Sequence, residues 1–108
     1  MLLKVIIEDE VYSLNVPDEL VNGSEDFFDQ LDRELDAGRQ MGRSWVDCPG
    51  REDRLRIVGD RLLGALERDN HDVGRMMAAY ILNRAPDIDA LELDTTGEIQ
   101  NTEIRYRD

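Results

Sequence analysis

The sequence predicts an α+β fold in the order β-β-α-α-α-β-β, with an antiparallel sheet built from N- and C-terminal hairpins and helices packed on one of its faces. Three observations carry this. Apolar residues alternate near both ends, they recur at helical spacing between residues 25 and 85, and Gly and Pro punctuate the boundaries. At 108 residues the chain is expected to form one domain over residues 1–108. A chain of this length buries roughly two-thirds of its unfolded surface, so it needs no disulfide or metal staple.

Leu2–Ile7 and Val11–Val16 read as the first hairpin. A two-residue loop at Asp9-Glu10 sets Ile7 opposite Tyr12, Val5 opposite Leu14 and Leu3 opposite Val16, so all six share one face. A four-residue loop over Glu8–Val11 keeps the same parity, whereas a three-residue loop would place Lys4 among the apolar side chains. Pro17 ends the strand, and Asn22-Gly23 is a turn signal.

Ser24 then stands where an N-cap belongs, with Glu25 and Asp26 in the favoured first turn. Phe27, Phe28, Leu31 and Leu35 follow at helical spacing, predicting a helix over Glu25–Ala37 with Gly38 as its C′ residue. Arg39–Gly50 has no period and is expected to be a loop. A second helix starts near Arg51 with an apolar stripe of Leu55, Val58, Leu62, Leu63 and Leu66. Asn70 is expected to cap a third, whose stripe is Val73, Met76, Met77, Tyr80 and Ile81. Leu82 lies opposite that stripe, which predicts burial on two faces, and Pro86 closes the helix.

Ile88–Asp94 and Glu98–Arg105 form the predicted second hairpin around Thr95-Thr96-Gly97. Pairing Leu93 with Ile99 and Ile88 with Ile104 puts the two pairs on opposite faces, so a bulge is expected near Asn101-Thr102.

Charge is the most unusual property of the composition. The net charge is −12, and lysine is represented by Lys4 alone. Residues 1–37 carry 11 acids against Lys4 and Arg33, whereas residues 38–85 carry 9 arginines against 7 acids. Residues 86–108 turn acidic again. Such a balance offers no counterion-release gain on nucleic acid or on anionic membranes, so neither is an expected partner. The acidity has two readings, a docking surface for a basic protein or an adaptation to high salt and solubility.

The catalytic inventory is short. Cys48 and His71 are each the sole residue of their type, which excludes a disulfide within the chain and multi-Cys or multi-His metal sites. A Cys48–His71 dyad, a Ser44/His71/Asp72 set and a carboxylate pair at Asp87 and Asp89 supply letters without a supporting motif. Glycines are scattered, with no phosphate-cradling pattern. No catalytic residue, metal ligand or cofactor is therefore assigned. The N-terminal apolar run reaches Glu8 too soon for a signal peptide, and no run nears the roughly 20 residues of a membrane span, so a cytoplasmic location is expected.

Two features stand above this background. Glu25, Asp29, Asp32 and Asp36 recur at i, i+4, i+7 and i+11, forming an acidic stripe beside the apolar face of their helix. The stripe is either a docking face for a basic protein or an ordinary solvated face. The second feature is Gln40–Arg51, which holds Arg43 and the only tryptophan, Trp45. Trp and Arg are enriched at binding hot spots; the competing reading folds Trp45 back over the following helices. The expected function is a non-catalytic protein-interaction module that contacts another protein, a basic one by the charge argument, through Glu25, Asp29, Asp32, Asp36, Arg43 and Trp45; a homo-oligomer is a separate expectation with no residues assigned to it. The alternative is a small-ligand or anion-binding regulator with Arg43, Trp45, Arg51 and Tyr80 lining one pocket, or with Arg39, Arg43, Arg51 and Arg54 gathered at a helix N-terminus.

Overall fold

A computed structural model describes residues 1–107. Its main sheet has the strand order β2-β1-β5-β6, formed by β1 (Leu2–Ile7), β2 (Glu10–Asn15), β5 (Ile88–Glu92) and β6 (Glu103–Tyr106). Between the two halves lie α1 (Asp18–Gly23), α2 (Glu25–Asp36), the hairpin β3 (Arg39–Met41) and β4 (Ser44–Val46), α3 (Arg51–Glu67) and α4 (His71–Arg84).

The α+β class holds, and both terminal hairpins join one four-stranded sheet. The join itself is parallel: Lys4, Val5 and Ile6 of β1 pair with Ala90, Leu91 and Glu92 of β5. A parallel pair needs a long crossover, and the whole helical middle of the chain supplies it. The inner face carries Leu3, Val5 and Leu91, all fully buried beneath the helices.

Hairpin parity is as the alternation dictates, but the register differs by two residues. Leu3 faces Leu14, Val5 faces Tyr12 and Ile7 faces Glu10. The turn is Glu8-Asp9, with φ of 50° and 69°. Both residues thus adopt the left-handed conformation of a primed turn, which asparagine and glycine enter more cheaply. Shifting the turn by one residue leaves Val16 beyond the strand, where it remains buried and its N–H donates to the Met1 carbonyl at 2.7 Å.

The C-terminal hairpin differs more. Ile99–Asn101 form a 3₁₀ turn and never enter the ladder. Ile88 faces Tyr106 and Leu91 faces Ile104, and the irregularity falls between Ile88 and Ala90 rather than at Asn101-Thr102. The intervening loop is organised by Asp94, whose carboxylate accepts from the backbone N–H groups of Thr96 and Glu98. Thr102, buried, accepts from the Asp94 N–H in turn. These local bonds compete with strand pairing and win.

Among the helices, α2, α3 and α4 begin where the signals place them, and the Asn70 side chain accepts from the Val73 N–H at 3.3 Å. Ser24 occupies the N-cap position of α2 but makes no side-chain capping bond. The short α1 after Pro17 lies in the segment read as a turn; it anchors through Val21. In α4, residues Met77 to Leu82 are buried without a break, while Val73 at the helix start is 42% exposed and falls outside the core stripe. Helix α3 lies directly on the sheet at Gly59, where a Cβ would stand 3.0 Å from Leu91 and Leu93. No helix among the described residues is long and apolar enough to cross a membrane.

Candidate functional site

The acidic stripe of α2 meets arginines of the chain itself. Arg84, at the last turn of α4, reaches Glu25 at 3.1 Å, Asp29 at 3.0 Å and Asp32 at 2.9 Å. Its guanidinium also lies 5.7 Å and 5.6 Å from the ring centres of Phe28 and Tyr80. Arg54, in the first turns of α3, contacts Asp32 at 3.2 Å and pairs closely with Asp36. It also donates to the Asp32 and Pro49 carbonyls, which lock the loop before α3 onto α2. The stripe is therefore not a plain solvated face. Spacing of i, i+4, i+7 and i+11 aligns four carboxylates along one line, and two arginines from two other helices straddle that line.

Asp32 is the centre of this network. Burial opposes its ionisation, but hydrogen bonds from Tyr80, Arg84 and Arg54 prevail and hold the carboxyl below the usual range. Burial and the bond to Asp32 together push the Tyr80 hydroxyl up. Burial works against the Arg84 charge, yet its bonds to Asp32, Glu25 and Asp29 raise its pKa further. At the stripe's upper end Glu25 is lowered by hydrogen bonds from Asn83 and then Arg84. The outer oxygens of Glu25, Asp29 and Asp36 stay half-exposed, so the stripe is both cross-linked and accessible.

The segment Arg39–Val46 is a short hairpin rather than a loop, with Gln40 opposite Trp45 and a turn at Gly42-Arg43. Trp45 does not fold back into the core; it is 58% exposed. Its position is nevertheless set. The indole N–H is engaged by Asp47 at 2.6 Å, and the ring lies against Gly38 so closely that a Cβ there would be 2.8 Å from it. Gly38 also has φ of 97°, as its helix-ending role requires. Trp45, Gly38, Arg39, Gln40, Ile57 and Asp60 border a shallow recess of about 290 Å³. Arg43 is exposed at the hairpin tip and has no ion pair among the described residues.

The four residues of the ligand-pocket alternative are not brought together. Arg51 and Tyr80 do share a cleft of about 370 Å³ with Arg54, Arg84 and Asp32, whereas Trp45 and Arg43 belong to the hairpin outside it. Tyr80 is 1% exposed and its hydroxyl is used by Asp32. Arg51 is held by Asp87 at 3.2 Å and by the Arg84 carbonyl, and it lies over the Tyr106 ring. Each cation in the cleft thus already has a carboxylate. The second anion arrangement also fails to assemble: Arg39 and Arg43 lie on the β3–β4 hairpin, away from Arg51 and Arg54. Cys48 contacts Asp36 and Arg54, whereas His71 borders a different cleft beneath β2, so no Cys–His dyad forms.

That cleft is the feature the sequence reading missed. Beneath β2 runs an apolar groove in two sections. One, of about 470 Å³, is lined by Ile7, Tyr12, Leu14, Leu63 and Leu66, with Glu8 and Glu67 at its border. The other, of about 250 Å³, continues past Leu14 and Leu66 toward Val16, Leu62, His71 and Arg75. Its signal was present in the alternation of β2, which aims Tyr12 and Leu14 inward. What was not legible is that the helices stop short of covering them.

Compared with protein-family models, with curated proteins and with solved structures, the chain matches none.

Proposed function

We propose that this chain is a non-catalytic protein-interaction module that binds a basic partner through the β3–β4 hairpin and the adjoining edge of α2. The observation that carries the reading is Trp45, a large apolar side chain held in place yet more than half exposed. An anchor that is ordered before binding loses little side-chain entropy on contact, which is the property that makes aromatic residues hot spots. Arg43 at the hairpin tip and the half-exposed carboxylates Asp29 and Asp36 supply polar contacts around it. A net charge of −12 steers encounter toward a basic surface.

A cytoplasmic setting goes with this reading. The exposed, unpaired Cys48 is tolerated in a reducing compartment and invites intermolecular pairing in an oxidising one.

The test is affinity capture from native lysate with the wild-type chain and with Trp45→Ala, after circular dichroism has shown that both are folded. Proteins retained by the wild type are expected to be lost from the variant. An identical captured set for both chains refutes the hairpin as the contact. Unfolding of Trp45→Ala assigns the tryptophan a structural role instead.

A further inference from the structure

The two edges of the main sheet are not alike. Edge strand β6 carries Glu103 and Arg105, with Arg105 tied to Glu92 across the outer face, and Arg107 follows it. Charged residues of this kind discourage strand addition. Edge strand β2, Glu10-Val11-Tyr12-Ser13-Leu14-Asn15, has no Lys, Arg or Pro, and five of its six residues are exposed. Among the described residues no backbone hydrogen bond reaches its free side. Directly under it lies the apolar groove bordered by Tyr12, Leu14, Leu63 and Leu66.

We infer that β2 and this groove receive an extended segment of a partner protein, added as a fifth strand, with apolar residues alternating into the groove and basic residues at its Glu8 end. The inference goes beyond the interaction reading above and uses a separate surface. Backbone groups of β2 supply sequence-independent affinity, and the groove selects every second side chain. Charge chooses the occupant. Glu8 and Glu67 border the groove and Glu10 opens the strand, its carboxylate already accepting from the Tyr12 hydroxyl at 2.7 Å. No cation is paired with Glu8, Glu10 or Glu67 among the described residues. A second copy of the chain carries the same net charge of −12 and would be repelled overall, so a basic strand is the complementary ligand.

The probe is a labelled eight-residue peptide that alternates valine with threonine and carries two lysines at each end. Its controls are a twin with glutamates in place of the lysines and a lysine peptide N-methylated at alternate residues. Fluorescence polarisation measures binding to the full chain, and amide hydrogen exchange locates it. The lysine peptide is expected to bind at least tenfold tighter than either control and to slow exchange in residues 10–15. Glu67→Lys, on the exposed end of α3, is expected to remove most of the preference for lysine over glutamate. Trp45→Ala is expected to leave peptide binding within twofold. Equal binding of the lysine and glutamate peptides, binding that survives N-methylation, or protection located away from β2 overturns the proposal. A concentration-dependent dimer that already protects residues 10–15 without peptide overturns it too, and assigns the edge to a second copy. Loss of the peptide result while Trp45-dependent capture persists discards only this inference, and the converse discards only the hairpin reading.

Discussion

Replacing Asp32 by alanine is expected to remove about 2–4 kcal/mol of stability. The figure follows from what the carboxylate holds. One oxygen accepts from the Tyr80 hydroxyl and from Arg54 at 3.2 Å; the other accepts from Arg84 through Nε at 3.1 Å and Nη2 at 2.9 Å. A hydrogen bond to a charged group is worth about 1.5–3 kcal/mol net. A plain sum overshoots, because Arg84 keeps Glu25 and Asp29, and Arg54 keeps Asp36. The buried Tyr80 hydroxyl, by contrast, loses its acceptor outright, at about 1–3 kcal/mol. Asp32→Asn retains the shape and one acceptor, so its cost should be about half. Urea unfolding followed by circular dichroism, at low and high salt, measures both variants. Solvent-exposed pairs yield about 0.2–1 kcal/mol and fade with salt, whereas the Asp32 side chain is only 27% exposed. A cost for Asp32→Ala below about 0.5 kcal/mol, or one that vanishes at high salt, refutes the view that this network holds α2 against α3 and α4.

The same carboxylate sets an acid response. Its folded-state pKa is depressed, so its contribution is full above the unfolded carboxylate value of about 4 and is lost as pH falls through the lower folded value. Melting temperature should therefore drop more steeply below pH 4 in the wild type than in Asp32→Asn, and parallel curves would contradict it. Gly38→Ala meets both a φ of 97° and the Trp45 ring at 2.8 Å; it should cost about 1–3 kcal/mol and change the emission of the only tryptophan. Gly59→Ala trades a helix-propensity gain of about 1 kcal/mol against contacts of 3.0 Å to Leu91 and Leu93. Net destabilisation by urea titration would show that α3 cannot lift from β5. Trp45→Ala should shift stability by under about 1 kcal/mol, and Trp45 emission in the wild type should be readily quenched by acrylamide, as its exposure requires. Moderate salt should raise the melting temperature by screening the net −12, because the pairs of Arg54 and Arg84 with Asp32 are largely sheltered.

Element types were legible wherever a period ran long enough. Stripes in α2, α3 and α4 span three or more turns, and Asn70 marked a helix start by a chemistry that the fold retains. Three-residue strands such as β3 and β4 show no period at all, and α1 is too short to display one. Parity placed Leu3, Val5, Tyr12 and Leu14 on one face, yet register depended on two non-glycine residues accepting positive φ at Glu8 and Asp9. The C-terminal hairpin slipped for a related reason: Asp94 and Thr102 satisfy backbone groups locally, a competition invisible to hydrophobic alternation. At the candidate site, helical spacing correctly aligned the four acids. It carried no information about Arg54 and Arg84, which are brought opposite them by packing between distant segments. Trp45 shows the opposite limit, since composition favours burying an indole and only the hairpin geometry leaves it out.

The parallel contact of Lys4 with Ala90 ties β1 to a strand that is synthesised only after the whole helical middle of the fold. Until Ile88–Glu92 arrives, β1 has a partner on one side only, and an isolated two-stranded ribbon is marginal in water. The rate of acquiring native structure should thus be limited by closing the long loop from β1 to β5 that contains all four α-helices. Nascent chains stalled ahead of Ile88 would then be protease-sensitive throughout, and resistance would appear in a single step once β5 has cleared the ribosome.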